Sequence, residues 1–132
     1  MSRFFFLANF YWFKNQSFFS DGCLVFRDFL KTEFSVENID FWLECEEFKK
    51  LKEGKKSTLQ RARAIYKMYV EVNSPKEVNI DAEARLATNA ALNDGAKRDT
   101  FSEAQSQVEQ LMEKDSYSRF VRSEYFEKLL QN

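Results

Sequence analysis

"FSVENIDFW", Phe34 to Trp42, sets four large apolar residues, Phe34, Ile39, Phe41 and Trp42, around a polar knot of Ser35, Glu37 and Asn38. Apolar residues at Ile39, Trp42, Leu43 and Phe48 recur at helical spacing, so the stretch opens an α-helix, with Ser35 where an N-cap would stand. Capping does not account for Glu37 and Asn38. A capping box would place Glu or Gln at the fourth position, and that position is Asn38. The knot is either a helix start and nothing more, or a surface that touches another molecule.

Outward from this stretch the periodicity stays helical. On the N-terminal side, "CLVFRDFLKTEF" repeats apolar residues at Phe26, Phe29, Leu30 and Phe34, an expected buried stripe. On the C-terminal side the knot's helix should run into "KKLKEGKK" and stop at Gly54. Ser57 or Thr58 is the expected cap of a third helix with Leu59, Ala62, Ile65, Tyr66 and Tyr69 on one face. Asp81 should cap "AEARLATNAAL", which Gly95 terminates. Thr100 and Glu103 read as a capping box before Phe101, Ala104, Val108, Leu111 and Met112. Asp115 and Ser116 read as opening a new turn, and Ser123 as preceding the last helix. With three glycines, one proline and no sustained alternation, the expectation is one all-helical domain over residues 21–132. Phe29, Trp42, Phe48, Ile65 and Phe120 are its expected core.

Composition excludes several functions. A net charge of −1 over 132 residues offers no basic excess for a nucleic-acid backbone. The absence of histidine removes His-based catalytic dyads and the commonest zinc ligand. Cys23 and Cys45 lack paired spacing and read as reduced, buried thiols of an intracellular chain. Glu37, Asp40, Glu44 and Glu47 share one helix face, which reads as a solvated stripe rather than an acid–base pair. The isolated glycines form no phosphate loop, so no cofactor, metal or catalytic residue is expected. Residues 1–20 stand apart, holding seven of the fifteen phenylalanines. The run Phe4 to Phe13 is about half the length that spans a bilayer. Packing against the core, interfacial membrane contact and a targeting peptide all remain open for it.

Two polar clusters sit at helix starts: Ser35 to Asn38, and "LMEKDSYSRF" from Leu111 to Phe120. Capping by Ser35 and Asp115, with Arg119 paired to a nearby acid, explains them without a partner; a binding surface explains them otherwise. "FRDFLKTEFSVENIDFWLECEEFKK", "SPKEVNID" and "LMEKDSYSRFVRSEYFEKLL" resemble the RGS (regulator of G-protein signalling) domain, over about Gly22 to Leu130 and more weakly from Trp12 to Phe18. The resemblance implies about nine helices: a four-helix antiparallel bundle and a subdomain formed by the chain ends. It also implies a GTPase activator, not itself an enzyme, that binds the active α subunit of a heterotrimeric G protein. The segments from Glu33 to Asn38 and Leu111 to Arg119 match those that contact the partner's switch regions. Phe34, Ser35, Glu37, Asn38, Leu111, Lys114, Asp115, Ser116 and Arg119 are the implied contact residues. Asn38 would face the partner glutamine that orients the attacking water, and an amide suits that place because it donates and accepts at once. The partner carries its catalytic arginine in cis.

The same resemblance implies a cytoplasmic monomer, with peripheral contact at the inner face of the plasma membrane if residues 1–20 touch lipid. The alternative is an RGS-like interaction module without GTPase activation, against which the retained Glu37, Asn38, Asp115 and Arg119 argue. Two departures from the family pattern stand out. A second asparagine expected in a loop falls by ungapped counting on Ala91, between Asn89 and Asn93, which would weaken binding or change the preferred α subunit. The aromatic run before residue 20 is not a family feature.

Overall fold

Helices joined by turns and loops make up residues 21–131, which the computed structural model describes, and no strand occurs among them. In chain order these are α1 (Asp21–Thr32), α2 (Val36–Phe48), α3 (Lys56–Ile65), α4 (Ala82–Asn93), α5 (Ser102–Leu111), α6 (Tyr117–Phe120) and α7 (Glu124–Leu130). Helix α3 continues as a π-helical turn, Tyr66–Val70, and α5 as another, Met112–Ser116, which leads without interruption into α6. The all-helical expectation holds. The expected total of nine helices, and every reading of the aromatic segment, fall partly or wholly on residues 1–20, outside the described residues.

The described chain divides into two compact units, one from residues 21–36 and 110–131, the other from Glu37–Glu109. In the first, Phe120 is the hub. Its ring centroid lies 5.0 Å from Phe26, 5.5 Å from Phe29 and 5.4 Å from Phe126, at tilted or edge-on angles that suit the ring quadrupoles. In the second, Phe101 meets Phe48 at 5.2 Å and Phe41 at 6.3 Å, both edge-on, and Phe41 meets Tyr69 at 5.6 Å. Helix α2 is the axis of this unit. It buries Asn38, Ile39, Phe41, Trp42, Leu43, Cys45 and Phe48; burial at adjacent positions means that it is covered on most sides. All five expected core residues are buried. Cys23 and Cys45 are buried free thiols, and burial pushes the Cys45 thiol up, away from thiolate chemistry.

The expected helix ends are met only in part. Asp81 accepts from the Ala84 N–H at 2.8 Å and Ser123 from the Phe126 N–H at 3.4 Å, as their positions predict. Gly95 follows α4 at φ +94°, where its missing Cβ is needed. Ser35 Oγ, however, has no hydrogen-bond partner, so it is not a side-chain cap. The residue before α3 is Lys55, and Thr58 turns back to donate to the Lys52 carbonyl at 2.6 Å. Thr100 does not form the expected box: its hydroxyl accepts from the Lys97 N–H at 2.8 Å, closing the turn before α5. Helix α2 ends at Phe48, short of Gly54, because the Lys50 and Leu51 N–H groups bond three residues back. The acidic stripe on α2 is laced with cations rather than simply solvated. Asp40 is largely enclosed and lies 3.7 Å from Lys76, while Glu44 pairs with Arg61 at 2.7 Å. No described helix is long and apolar enough to cross a membrane.

Candidate binding surface

The C-terminus of α1 ends in a Schellman turn. The Ser35 N–H reaches back to the Leu30 carbonyl at 3.0 Å, and the Phe34 N–H to the Lys31 carbonyl at 3.2 Å. That closure forces the penultimate position into the left-handed region, and the residue there is Phe34 at φ +55°. Glycine normally fills this place, because a Cβ crowds the following carbonyl. The phenylalanine gains nothing from burial in return, since it is 93% exposed. The expectation that it extends the stripe of Phe26, Phe29 and Leu30 is therefore corrected. The chain leaves the helix before Phe34, and the ring points to solvent.

Beside this turn stands Arg119 of α6, in the same unit. Its Nε and one terminal nitrogen each donate to Glu33 at 2.9 Å, a two-pronged fit of guanidinium to carboxylate. The other terminal nitrogen donates to Asp115. Hydrogen bonding to Glu33, and then to Asp115, pushes the Arg119 pKa up. The result is a charge held in one orientation by two acids, 86 residues apart and four residues apart along the chain. Asp115 is thus a brace rather than a cap.

The expected break near Asp115 is absent. Met112–Ser116 is a π-helical turn, in which the Tyr117 N–H bonds to the Met112 carbonyl. This insertion keeps the helix continuous, and such turns recur at functional sites. Leu111, Lys114 and Asp115 are exposed. Ser116 is buried, with 4% exposure, so this predicted contact residue is not presented at the surface. Tyr117 behind it is buried too, and burial pushes its hydroxyl up to about 12.

Glu37 and Asn38 belong to the second unit. Glu37 is half-buried. Asn38 is 9% exposed, and its Oδ1 has no hydrogen-bond partner. A buried amide oxygen in that condition costs about 1–3 kcal/mol. Asn89, Ala91 and Asn93 lie in the last turns of α4, helix rather than loop; Ala91 is half-buried and the two asparagines are exposed. Among the described residues no group of three or more His, Cys, Asp or Glu side chains could hold a metal ion.

The geometry adds Glu33, which was not among the candidate contact residues. A signal was available: an acid at the C-terminal end of a helix opposes the helix dipole and needs a cation to justify it.

A family model described as the Regulator of G protein signaling domain matches residues 17–129. The chain is 62% identical over 111 residues to "Regulator of G-protein signaling rgs-7" of Caenorhabditis elegans, a match covering 84% of this chain and 14% of that protein. It is 49% identical over 109 residues to "Regulator of G-protein signaling 8" of Homo sapiens, covering 83% and 59%. "Regulator of G-protein signaling 18" of Homo sapiens is 43% identical over 111 residues, covering 84% and 46%. The chain thus spans less than two thirds of each of these relatives.

Proposed function

Because the chain belongs to the family of regulator of G-protein signalling domains, we propose that it binds the active α subunit of a heterotrimeric G protein and accelerates that subunit's hydrolysis of GTP. The observation that carries this reading is the exposed clamp on α6, where Glu33 and Asp115 hold Arg119 beside the left-handed turn at Phe34. Asn38, at the start of α2, is 9% exposed and its amide oxygen is enclosed without a hydrogen-bond partner, so the side chain must turn outward to meet another molecule. In this reading its amide holds the partner glutamine that orients the attacking water. The partner supplies the catalytic arginine and the nucleotide chemistry. The domain contributes only preferential binding to the switch conformation of the transition state, and preference of that kind raises rate. Arg119, locked by Glu33 and Asp115, suits gripping switch backbone, since its side-chain entropy is already spent. Exposed Phe34 and Leu111 supply apolar contact. By ungapped counting the family's second asparagine falls on Ala91, between Asn89 and Asn93, and this part of α4 bears on which α subunit is preferred.

Single-turnover GTP hydrolysis against a panel of α subunits tests the proposal. Asn38→Ala should stay folded, because the lost oxygen makes no hydrogen bond, yet lose on the order of 10²-fold in stimulated rate, by analogy with a lost oxyanion donor. Glu47→Ala, exposed on the same helix, should match the parent. An Asn38→Ala domain that accelerates hydrolysis as well as the parent refutes the proposed role of the amide.

A further inference from the structure

No hydrogen bond aims the Asn38 oxygen, so where it points depends on where α2 is held. One turn further along, α2 is gripped by α5 within the same unit. Trp42 Nε1 donates to Glu109 Oε1 at 2.9 Å. Gln105 Nε2 donates to Glu46 Oε2 at 2.6 Å and, at 3.4 Å, to the Trp42 carbonyl. Lys49 Nζ donates to the same Glu46 oxygen at 2.7 Å. Positions 38, 42 and 46 lie on one stripe of α2, and positions 105 and 109 on one stripe of α5, each at a spacing of four. The two stripes are joined rung by rung, and Asn38 occupies the next position along the first.

Close packing of Ile39, Phe41, Trp42, Leu43 and Phe48 holds α2 in the core. Hydrogen bonds are directional and refine that placement. We propose that Glu109 is a positioning residue: by anchoring the Trp42 indole it refines the rotation and axial register of α2, and with them the place at which the Asn38 amide meets the partner. This rests on the GTPase-activating reading above. Gln105 is buried in the same lattice, and its removal would disturb the core. Glu109 is half-exposed and can be replaced without opening a cavity.

The experiment compares parent, Glu109→Leu and Glu109→Gln in single-turnover GTP hydrolysis by a responsive α subunit, over a range of domain concentration. The indole N–H resonance of Trp42, assigned with Trp12→Phe, is followed alongside. Glu109→Leu should lower the maximal stimulated rate on the order of tenfold, the scale of mutations that act through a neighbour. The half-saturating concentration should stay near the parent's, because the contact affected is one made in the transition state. The indole resonance should shift. Glu109→Gln retains an acceptor and should restore both rate and resonance. A Leu variant with the parent's maximal rate overturns the inference, as does a Gln variant no better than the Leu variant. A parent that stimulates no α subunit overturns the functional reading and this inference with it, whereas a stimulating parent isolates the role of Glu109.

Discussion

At residue scale, Phe34 sets stability against exposure. Its left-handed backbone costs roughly 1–2 kcal/mol relative to a residue without Cβ, and a side chain 93% exposed returns almost none of it. Phe34→Gly should therefore stabilise the domain by about 1 kcal/mol, raising the melting temperature by about 4 °C for a chain of this size. It should also weaken capture of an activated α subunit. Thermal denaturation and a pull-down with a GDP and planar-phosphate complex check the two halves. Sequence reasoning misplaced this residue for a clear reason. The stripe of Phe26 and Leu30 continues arithmetically to position 34, and no glycine or proline marks the stop. Glu33 escaped selection likewise: its place at a helix C-terminus calls for a cation, but the one it finds, Arg119, is 86 residues away and no local pattern identifies it.

At the scale of elements, interior helices were legible and their ends only in part. Helix α2 was readable from Ile39, Trp42, Leu43 and Phe48, because burial dominates its energetics. Caps are worth about 1 kcal/mol each, and nearby groups compete for them: the Thr100 hydroxyl is claimed by the Lys97 N–H rather than by α5. The π-helical turn at Met112–Ser116 was invisible, since one added residue per turn needs no punctuating residue type, and its polar run reads as a break. The rung at Glu46 has a consequence for acid stability. Burial works to raise its carboxyl, but hydrogen bonds from Lys49 and Gln105, with the Lys49 charge, outweigh it and hold the group below its usual value. A carboxyl depressed in the folded state stabilises fully above its unfolded pKa of about 4.3 and loses that contribution as pH falls through the lower folded value. Stability should thus decline on acidification below about pH 4, and Glu46→Gln should flatten that decline. Melting temperatures measured across the acid range decide it.

At the scale of the whole molecule, the two aromatic cores carry the fold. Trp42→Ala removes a ring that is 5% exposed and its bond to Glu109, and should cost about 3–5 kcal/mol. Chemical denaturation measures this directly, and a parent-like midpoint would displace Trp42 from the core. Composition and periodicity were enough to read an all-helical chain with these residues inside. The division into units was not readable that way, because it depends on pairings across long stretches of chain. Its topology bears on the order of events during synthesis. Residues 37–109 form one unit from a single uninterrupted stretch, whereas the other is assembled from residues 21–36 and 110–131. As the chain leaves the ribosome at about 5–20 residues per second, the inserted unit has all its parts first, and α1 must wait for Phe120 to arrive. The Arg119–Glu33 clamp is therefore among the last features that this domain can acquire. A ribosome-bound chain stalled with residue 109 just emerged should protect the amides of α2 from exchange while Phe26 and Phe29 still lack their ring partners.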